Sequence, residues 1–183
     1  MPFRKSQAVS VKLRPATPAD TAALADLGRR SFAAKFGHLY KPEDLAAFLA
    51  EYRSEARYAA QIAEPGTRIQ LAEDEGKLLA YCLIELGVSY DKLDRPRPER
   101  PVYLTQLYCD PAATGQGIGS ALMDWALAAA RDWRADAMQL NVFSDNPGAQ
   151  RFYARYGFEK IADIAFWVGN HRDDEFLYEL ALG

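Results

Sequence analysis

The stretch YCDPAATGQGIGSALMDWALAAARDW, residues 108–133, decides the fold, because it joins an apolar run to a long amphipathic pattern. Gly115, Gly117 and Gly119 take every second position of this junction. Glycine has no Cβ, so such a segment can turn sharply and bring its backbone close to a ligand. The run before it, VYLTQLYC, predicts a strand. The pattern after it has the spacing of a buried helical stripe: Leu122, Trp125, Ala126, Ala129 and Trp133.

The predicted strand-to-helix turn offers a site for an anion. The first N–H groups of a helix have no partner and the helix dipole is positive at that end, so phosphate oxygens bind there. The glycine spacing excludes two nucleotide motifs, since neither Gly115 nor Gly117 begins a GxGxxG pattern and no GK[ST] follows. From these residues alone, an ordinary tight turn remains the alternative.

The segments before the turn predict further elements. The alternation of Val9, Val11 and Leu13 predicts a first strand. Residues 17–36 predict a helix with Thr17 as its cap, and residues 42–66 predict a second helix. A hairpin follows, and then a loop, GVSYDKLDRPRPERP, which has no usable period and is predicted to be mobile.

After the turn the sequence predicts a strand, a short helix and two more strands. Asn146 caps the short helix, Pro147 is its first residue, and Gly157 provides its left-handed end. The whole order predicts an α/β (α+β) fold with a mixed, mostly antiparallel central sheet of about seven strands and helices on both faces. We expect a single domain over residues 1–183, with residues 1–8 flexible.

The composition limits the classes of partner and of compartment. The net charge of −3 gives no electrostatic reason to expect nucleic acid or a membrane as partner. Cys82 and Cys109 lie in apolar, strand-like runs without metal-ligand spacing, so they are expected to be reduced core thiols, and no metal site is expected. The amino terminus has no apolar signal region, which predicts a soluble, cytoplasmic protein.

The glycine turn together with NPGAQRFYARYGFEK, about 30 residues downstream, resembles the GNAT superfamily of acyl-CoA-dependent N-acetyltransferases. The resemblance implies acetyl-CoA as acyl donor, with its pyrophosphate on the turn and its pantetheine arm along the strand LTQLYC, which is expected to separate from its neighbour. It also implies that one N–H of this strand polarises the thioester carbonyl. The implied CoA-binding residues are Leu107, Cys109, Thr114, Gly115, Gln116, Gly117, Ile118, Gly119, Ser120, Asn146 and Tyr153.

Two positions in this set need comment. Thr114 stands where the family usually has Arg or Gln, so a long donor side chain is missing and a weaker phosphate site is expected. Asn146 can cap its helix, bond the pantetheine amides, or do both.

The resemblance implies that Tyr153 donates a proton to the departing thiolate, whereas periodicity alone predicts a core aromatic residue. A base must take the proton of the incoming amine, since an alkylammonium with a pKa near 10.4 is scarcely neutral at pH 7. Many family members have a glutamate on the strand before the glycine turn, but this strand has Thr105 and Gln106. Glu85, acting through water, is the first substitute; a solvated strand end is the alternative.

The resemblance predicts transfer of an acetyl group to a primary amine by direct attack, on a small molecule such as a polyamine or on a peptide. The terminal segments further resemble the spermine/spermidine acetyltransferase branch. Asp173, Asp174 and Glu175 could attract a cationic amine, although a charged hairpin turn is the simpler interpretation. A non-catalytic acyl-CoA binding or sensing module is the alternative function, and a homodimer is one of the assemblies that the sequence leaves open.

Overall fold

The computed structural model describes residues 11–183, so the predicted flexible residues 1–8 and Val9 lie outside it. The strands are β1 Lys12–Pro15, β2 Thr67–Asp74, β3 Lys77–Leu86, β4 Pro101–Cys109, β5 Ala137–Phe143, β6 Glu159–Val168 and β7 His171–Ala181. The helices are α1 Thr21–Phe36, α2 Pro42–Tyr52, α3 Glu55–Ala63, α4 Ile118–Asp132 and α5 Pro147–Arg155.

The strands form one seven-stranded sheet in the order β1-β2-β3-β4-β5-β7-β6. Among the strands of residues 11–183, only the β4–β5 pair is parallel, and α4 is the crossover between these two strands. All other pairs are antiparallel, as in the hairpins β2–β3 and β6–β7. The predicted mixed, mostly antiparallel sheet is therefore confirmed.

Helices cover both faces of this sheet, as alternate residues of the central strand β3 show. Cys82 and Ile84 pack in the core cluster that contains Leu122 and Met123 of α4. Tyr81 and Leu83, which point to the opposite face, pack with residues of α1 and α3. Because successive side chains of a strand alternate between its faces, α4 and the α1–α3 pair lie on opposite sides of the sheet.

The predicted second helix, residues 42–66, is in fact two helices. Its first part, α2, ends at Tyr52, where Arg53 leaves the helical conformation with φ −129° and ψ 34°. Ser54 then starts α3 as an N-cap, its side chain accepting a hydrogen bond from the backbone N–H of Arg57. Apolar residues keep helical spacing on both sides of this break, so the sequence pattern does not reveal it. The one local signal for a new helix is the serine, a preferred N-cap residue.

The parallel pair β4–β5 separates after four residues. Its register runs from Pro101 opposite Ala137 to Leu104 opposite Leu140, and no pairing continues beyond that point. On the other edge of β4, Leu83 faces Gln106 while Ile84 faces Leu104, so Thr105 is an extra residue in a β-bulge. The separation predicted for the strand LTQLYC is present, and it leaves one edge of β4 without a strand partner.

The loop between β3 and β4 is bound to the sheet over part of its length. The backbone N–H of Tyr90 donates to Gln139 at 2.8 Å, and Arg95 pairs with Glu179. The guanidinium of Arg100 lies 4.2 Å from the ring centroid of Trp133, at the end of α4 away from the glycine turn. The prediction that this loop is mobile overlooked these contacts, because each partner is distant in sequence.

Among residues 11–183, no helix has both the length and the apolar composition needed to cross a bilayer. Within the same range, His, Cys, Asp and Glu side chains form no cluster of three or more arranged to hold a metal ion. Cys82 is buried and Cys109 is partly buried, and both are free thiols, as expected.

Candidate active site

A cleft of about 690 Å³ lies where β4 and β5 separate. Its floor is β4 from Tyr103 to Cys109, whose edge is free beyond Leu104, and the end of β5. One end is closed by Thr114 and by residues of α5, and the other by aromatic residues of α1 and α2 and by β6 and β7. We call the end with Thr114 and α5 the donor half and the aromatic end the acceptor half.

The glycine turn lies at the donor half and presents an uncapped helix end. Gly115 and Gly117 have φ values of 77° and 80°, the left-handed region that favours glycine. Gly117 is the N-cap of α4 and provides no side-chain oxygen, so within the described part of the chain this helix begins without a side-chain cap. A Cβ built on either glycine meets no atom within 4 Å, so what requires glycine here is the backbone conformation.

The side chains of the turn contribute little to its donor set. The hydroxyl of Thr114 donates to the backbone oxygen of Pro111 at 3.0 Å, so it points into the preceding turn. The backbone oxygen of Ser120 accepts a hydrogen bond from the Tyr156 hydroxyl at 3.3 Å, which joins α4 to α5. The Thr114 hydroxyl is therefore engaged within the turn, and the backbone N–H groups at the start of α4 are its main donors.

The free edge of β4 presents the backbone of Leu107 and Cys109. The N–H of Asp110 donates to Leu79 of β3 at 2.7 Å, so it points away from the cleft. Because N–H groups of successive strand residues alternate between the two edges, the N–H groups of Cys109 and Leu107 point away from β3 and toward the cleft. Both residues line the cleft.

Helix α5 brings two further predicted residues to the donor half. Asn146 is the N-cap, as predicted, and accepts a hydrogen bond from the backbone N–H of Ala149 at 3.3 Å. Tyr153 is buried, lines the cleft and packs in the core that includes Phe158, so the core-aromatic interpretation is correct as well. Burial raises the pKa of Tyr153 above its ordinary value, so its phenol stays protonated at neutral pH.

The acceptor half contains the one carboxylate that lines the cleft among the described residues, Glu175 of β7. Asn141 of β5 donates to it at 2.8 Å and in turn accepts a hydrogen bond from the Tyr103 hydroxyl. Burial raises the pKa of Glu175 to about 7, with Asp173 adding to the rise and the Asn141 hydrogen bond opposing it. A carboxylate with a pKa close to neutral pH is suited to general-base catalysis.

The three acids of the HRDDEF segment have different environments, because they lie in strand β7 rather than in a turn. Asp173 is buried, accepts a hydrogen bond from Tyr40 at 2.5 Å, and has His171 Nε2 at 3.2 Å. Asp174 is exposed and pairs with Arg172. The charged-turn interpretation is therefore wrong, and sequence reasoning did not separate Glu175 from its neighbours. The signal for it was the alternation of strand β7, which places every second residue on one face.

Glu85 does not line the cleft. Its carboxylate accepts a hydrogen bond of 2.5 Å from Thr105, whose own side chain is exposed and borders the floor. Its role as a base stays a prediction, whereas Glu175 lines the cleft directly.

The comparisons with known proteins agree with this geometry. The structure of the PaiA N-acetyltransferase of Thermoplasma acidophilum in complex with coenzyme A has a TM-score of 0.75 at 18% identity, covering 94% of this chain and 99% of that one. The ribosomal-protein-S18-alanine N-acetyltransferase of Escherichia coli has a TM-score of 0.68 at 17% identity, covering 94% of each chain. Both likenesses concern the fold alone, a mixed sheet covered by helices.

Proteins related in sequence, together with a family model, identify the family of the chain. An uncharacterized N-acetyltransferase of Mycobacterium tuberculosis is 32% identical over 158 residues, 86% of this chain and 95% of the relative. Another from Lactobacillus delbrueckii subsp. lactis is 26% identical over 172 residues, 94% of this chain and 98% of the relative. The model of the acetyltransferase (GNAT) family matches residues 32–158.

The chain belongs to the acetyltransferase (GNAT) family, and it is an acetyl-CoA-dependent acetyltransferase. The family assignment implies a CoA thioester as acyl donor and an acceptor substrate. The resemblance to the GNAT superfamily is thereby confirmed, and the narrower spermine/spermidine branch stays a prediction.

Proposed function

We propose that the protein acetylates a primary amine by direct attack of the neutral amine on the thioester carbon of acetyl-CoA. The observation that carries this proposal is Glu175, a carboxylate with a pKa of about 7 that lines the same cleft as Thr114 and the free edge of β4. An alkylammonium has a pKa near 10.4 and is neutral to about one part in 10³ to 10⁴ at pH 7. Glu175 is suited to take the proton from the ammonium group and so to give the neutral amine that attacks.

The donor half fits a CoA thioester in two respects. The uncapped end of α4 offers backbone N–H groups to the pyrophosphate, and the positive φ of Gly115 and Gly117 shapes that surface. The cleft-facing backbone of Leu107 and Cys109 can pair with pantetheine amides and polarise the thioester carbonyl. Acetyl-CoA supplies the acetyl group in activated form, as a thioester.

The proton and the leaving group are handled by different residues. Glu175 takes one proton from the alkylammonium to give the neutral amine and releases it to solvent. As the N–C bond forms and the C–S bond breaks, the nitrogen gives up its second proton to Glu175. Tyr153 stands on the opposite half of the cleft and donates a hydrogen bond to the sulfur that departs. An ordinary phenol has a higher pKa than a thiol, and burial raises that of Tyr153 further, so complete proton transfer to the thiolate is uphill. The hydroxyl therefore acts chiefly as a hydrogen-bond donor, and solvent protonates the thiolate after release.

The test is to incubate the protein with acetyl-CoA and a panel of amino acids, polyamines, peptide amino termini and aminoglycosides. Release of CoA thiol and a mass increase of one acetyl group on the amine nitrogen are the expected results. Incubation without amine measures hydrolysis and is the control. Acetyl-CoA binding without acetylation of any amine, or acetylation of a hydroxyl group alone, would overturn the proposal.

A further inference from the structure

Arg53, at the junction of α2 and α3, is a buried cation that lines the acceptor half of the cleft. Its residue exposure is 8%. One terminal nitrogen donates to the backbone oxygen of Tyr52 at 2.9 Å, and the other donates to the Tyr108 hydroxyl at 3.1 Å. Its buried Nε has no acceptor among residues 11–183.

Aromatic rings surround this guanidinium. Its central carbon lies 5.5 Å from the ring centroid of Phe32, 5.4 Å from that of Phe48 and 5.5 Å from that of Tyr108. Contact with ring faces stabilises a cation, but less than a carboxylate does when the charge is buried. Arginine remains protonated in proteins, so the charge at this place is permanent.

The charges along the cleft have an excess of positive sign. Among the described residues, the charged side chains of its lining are Lys35, Arg53, Arg57 and Glu175, three cations and one carboxylate. A polycationic acceptor gains little from such a lining. An acceptor with one amine and one carboxylate matches it, because Glu175 takes the amine and a cation remains for the carboxylate.

Resting on the proposed amine acetylation, we propose that Arg53 binds a carboxylate of the acceptor, and that the acceptor is an amino acid with an apolar or aromatic body. Phe36, Phe48 and Phe166 of the lining provide the surface for that body. Each terminal nitrogen of the guanidinium has two N–H groups and uses one of them within the protein, so the second N–H groups can donate to a carboxylate as the paired hydrogen bonds that arginine favours.

The test compares amines that differ by one carboxylate: L-phenylalanine with 2-phenylethylamine, L-leucine with 3-methylbutylamine, and 6-aminohexanoate with hexylamine. Rates are compared at equal concentrations of neutral amine, because the carboxylate also changes the pKa of the amine. In at least one pair the carboxylate should raise kcat/KM roughly 10- to 100-fold, the range of hydrogen bonds to charged groups. In the same assay 3-phenylpropanoate should compete with the acceptor, and 3-phenylpropanamide should not.

The variant Arg53→Gln removes the charge and should bring the kcat/KM ratio within that pair to about one. A general loss of activity in the variant lowers kcat/KM for both members of a pair equally. The ratio of the two values therefore reports only the effect of the carboxylate. Arg29→Gln is the matched control: Arg29 donates to the backbone oxygen of Arg53 at 2.9 Å but does not line the cleft, so its variant loosens the junction and keeps the ratio. If Arg53→Gln does not fold, Arg53→Lys, which keeps the charge without the planar fork, should lower the ratio in part.

The outcomes separate this inference from the proposed function. Amines that are acetylated with no preference for a carboxylate, and no competition by 3-phenylpropanoate, overturn the role of Arg53 and leave amine acetylation standing. A panel in which no amine is acetylated overturns the proposed function itself. Equal loss for both members of each pair in Arg53→Gln, with the wild-type ratio kept, assigns Arg53 to the packing of α2 and α3 instead.

Discussion

The two halves of the cleft are built in different ways. The donor half is mainly backbone from two short stretches, the end of β4 with the glycine turn and the start of α5. The acceptor half is mainly side chains, contributed by segments that range from Phe32 in α1 to Glu175 in β7. A backbone surface constrains residue types over a short window, so it appears as a motif. A side-chain surface depends on residue types at positions far apart in the sequence. These residues can differ between proteins of one family, and they determine which acceptor binds.

The largest effect is expected in the acceptor half, from Glu175→Gln. Loss of a general base should lower kcat/KM for the acceptor roughly 10²- to 10⁴-fold, while the Kd of acetyl-CoA changes little. In the wild type Glu175 must be ionised to take a proton, so kcat/KM should fall as the pH drops through its pKa of about 7. A pH profile of both proteins checks this, and the limb near pH 7 should be missing in the variant.

Two further variants bear on the same residue. Asp174→Asn changes the neighbouring exposed acid and should leave the rate and the pH limb in place. Glu85→Gln tests the rival base: a rate loss of similar size there, with Glu175→Gln nearly as active as the wild type, would return the role to Glu85.

Thermal unfolding tests the raised pKa of Glu175 independently of the reaction. The folded-state pKa of Glu175 is raised, so its ionisation disfavours folding as pH rises toward 7, and Glu175→Gln should be the more stable protein above that pH.

The sequence predicted the glycine turn, the N-cap of α5 and most of the fold, and the reason is physical. Helix caps, the glycine turn and strand alternation act over a few residues, so Asn146, Gly117 and the β4 segment could be recognised from local pattern. The break at Arg53 could not, because helical spacing continues across it and the side chain finds its partners on α1 and β4. Glu175 was named only together with Asp173 and Asp174 for a related reason, since its hydrogen-bond partner Asn141 lies 34 positions earlier.

In the donor half, Tyr153→Phe tests a side chain within a surface that is otherwise backbone. Loss of a hydrogen bond to the departing sulfur should lower kcat roughly 10- to 100-fold, the range for bonds to a charged group, with acetyl-CoA affinity nearly intact. Tyr156→Phe is the matched control on the same helix, because it removes only the bond to the Ser120 carbonyl oxygen. Steady-state rates and calorimetric acetyl-CoA binding check both, and equal rates for the two variants would remove Tyr153 from the chemistry.

A smaller effect is expected from Gly117→Ala, which alters the backbone itself. Alanine at φ 80° is strained by about 1–2 kcal/mol, so relief of the strain should displace the first N–H groups of α4 and raise the KM for acetyl-CoA up to about 10-fold. Gly76→Ala is a matched control, since Gly76 has φ 79°, equally open surroundings and a place in the β2–β3 hairpin. Both variants should lose similar stability on thermal unfolding, and only Gly117→Ala should weaken acetyl-CoA. A weakening by both would show that strain anywhere in the chain is enough.

The smallest effect is expected from Thr114→Arg, which restores a long donor of the kind usual in the family. Thr114 is exposed and its hydroxyl is directed to Pro111, so the present side chain adds nothing to the phosphate surface. An exposed ion pair contributes about 0.2–1 kcal/mol, so the KM for acetyl-CoA should fall by no more than about fivefold, and salt should reduce the gain. Thr114→Val removes the hydroxyl alone and should leave KM unchanged. A much larger gain from arginine would mean that side chains, and not the backbone, limit binding in the donor half, and the contrast between the two halves would then be wrong.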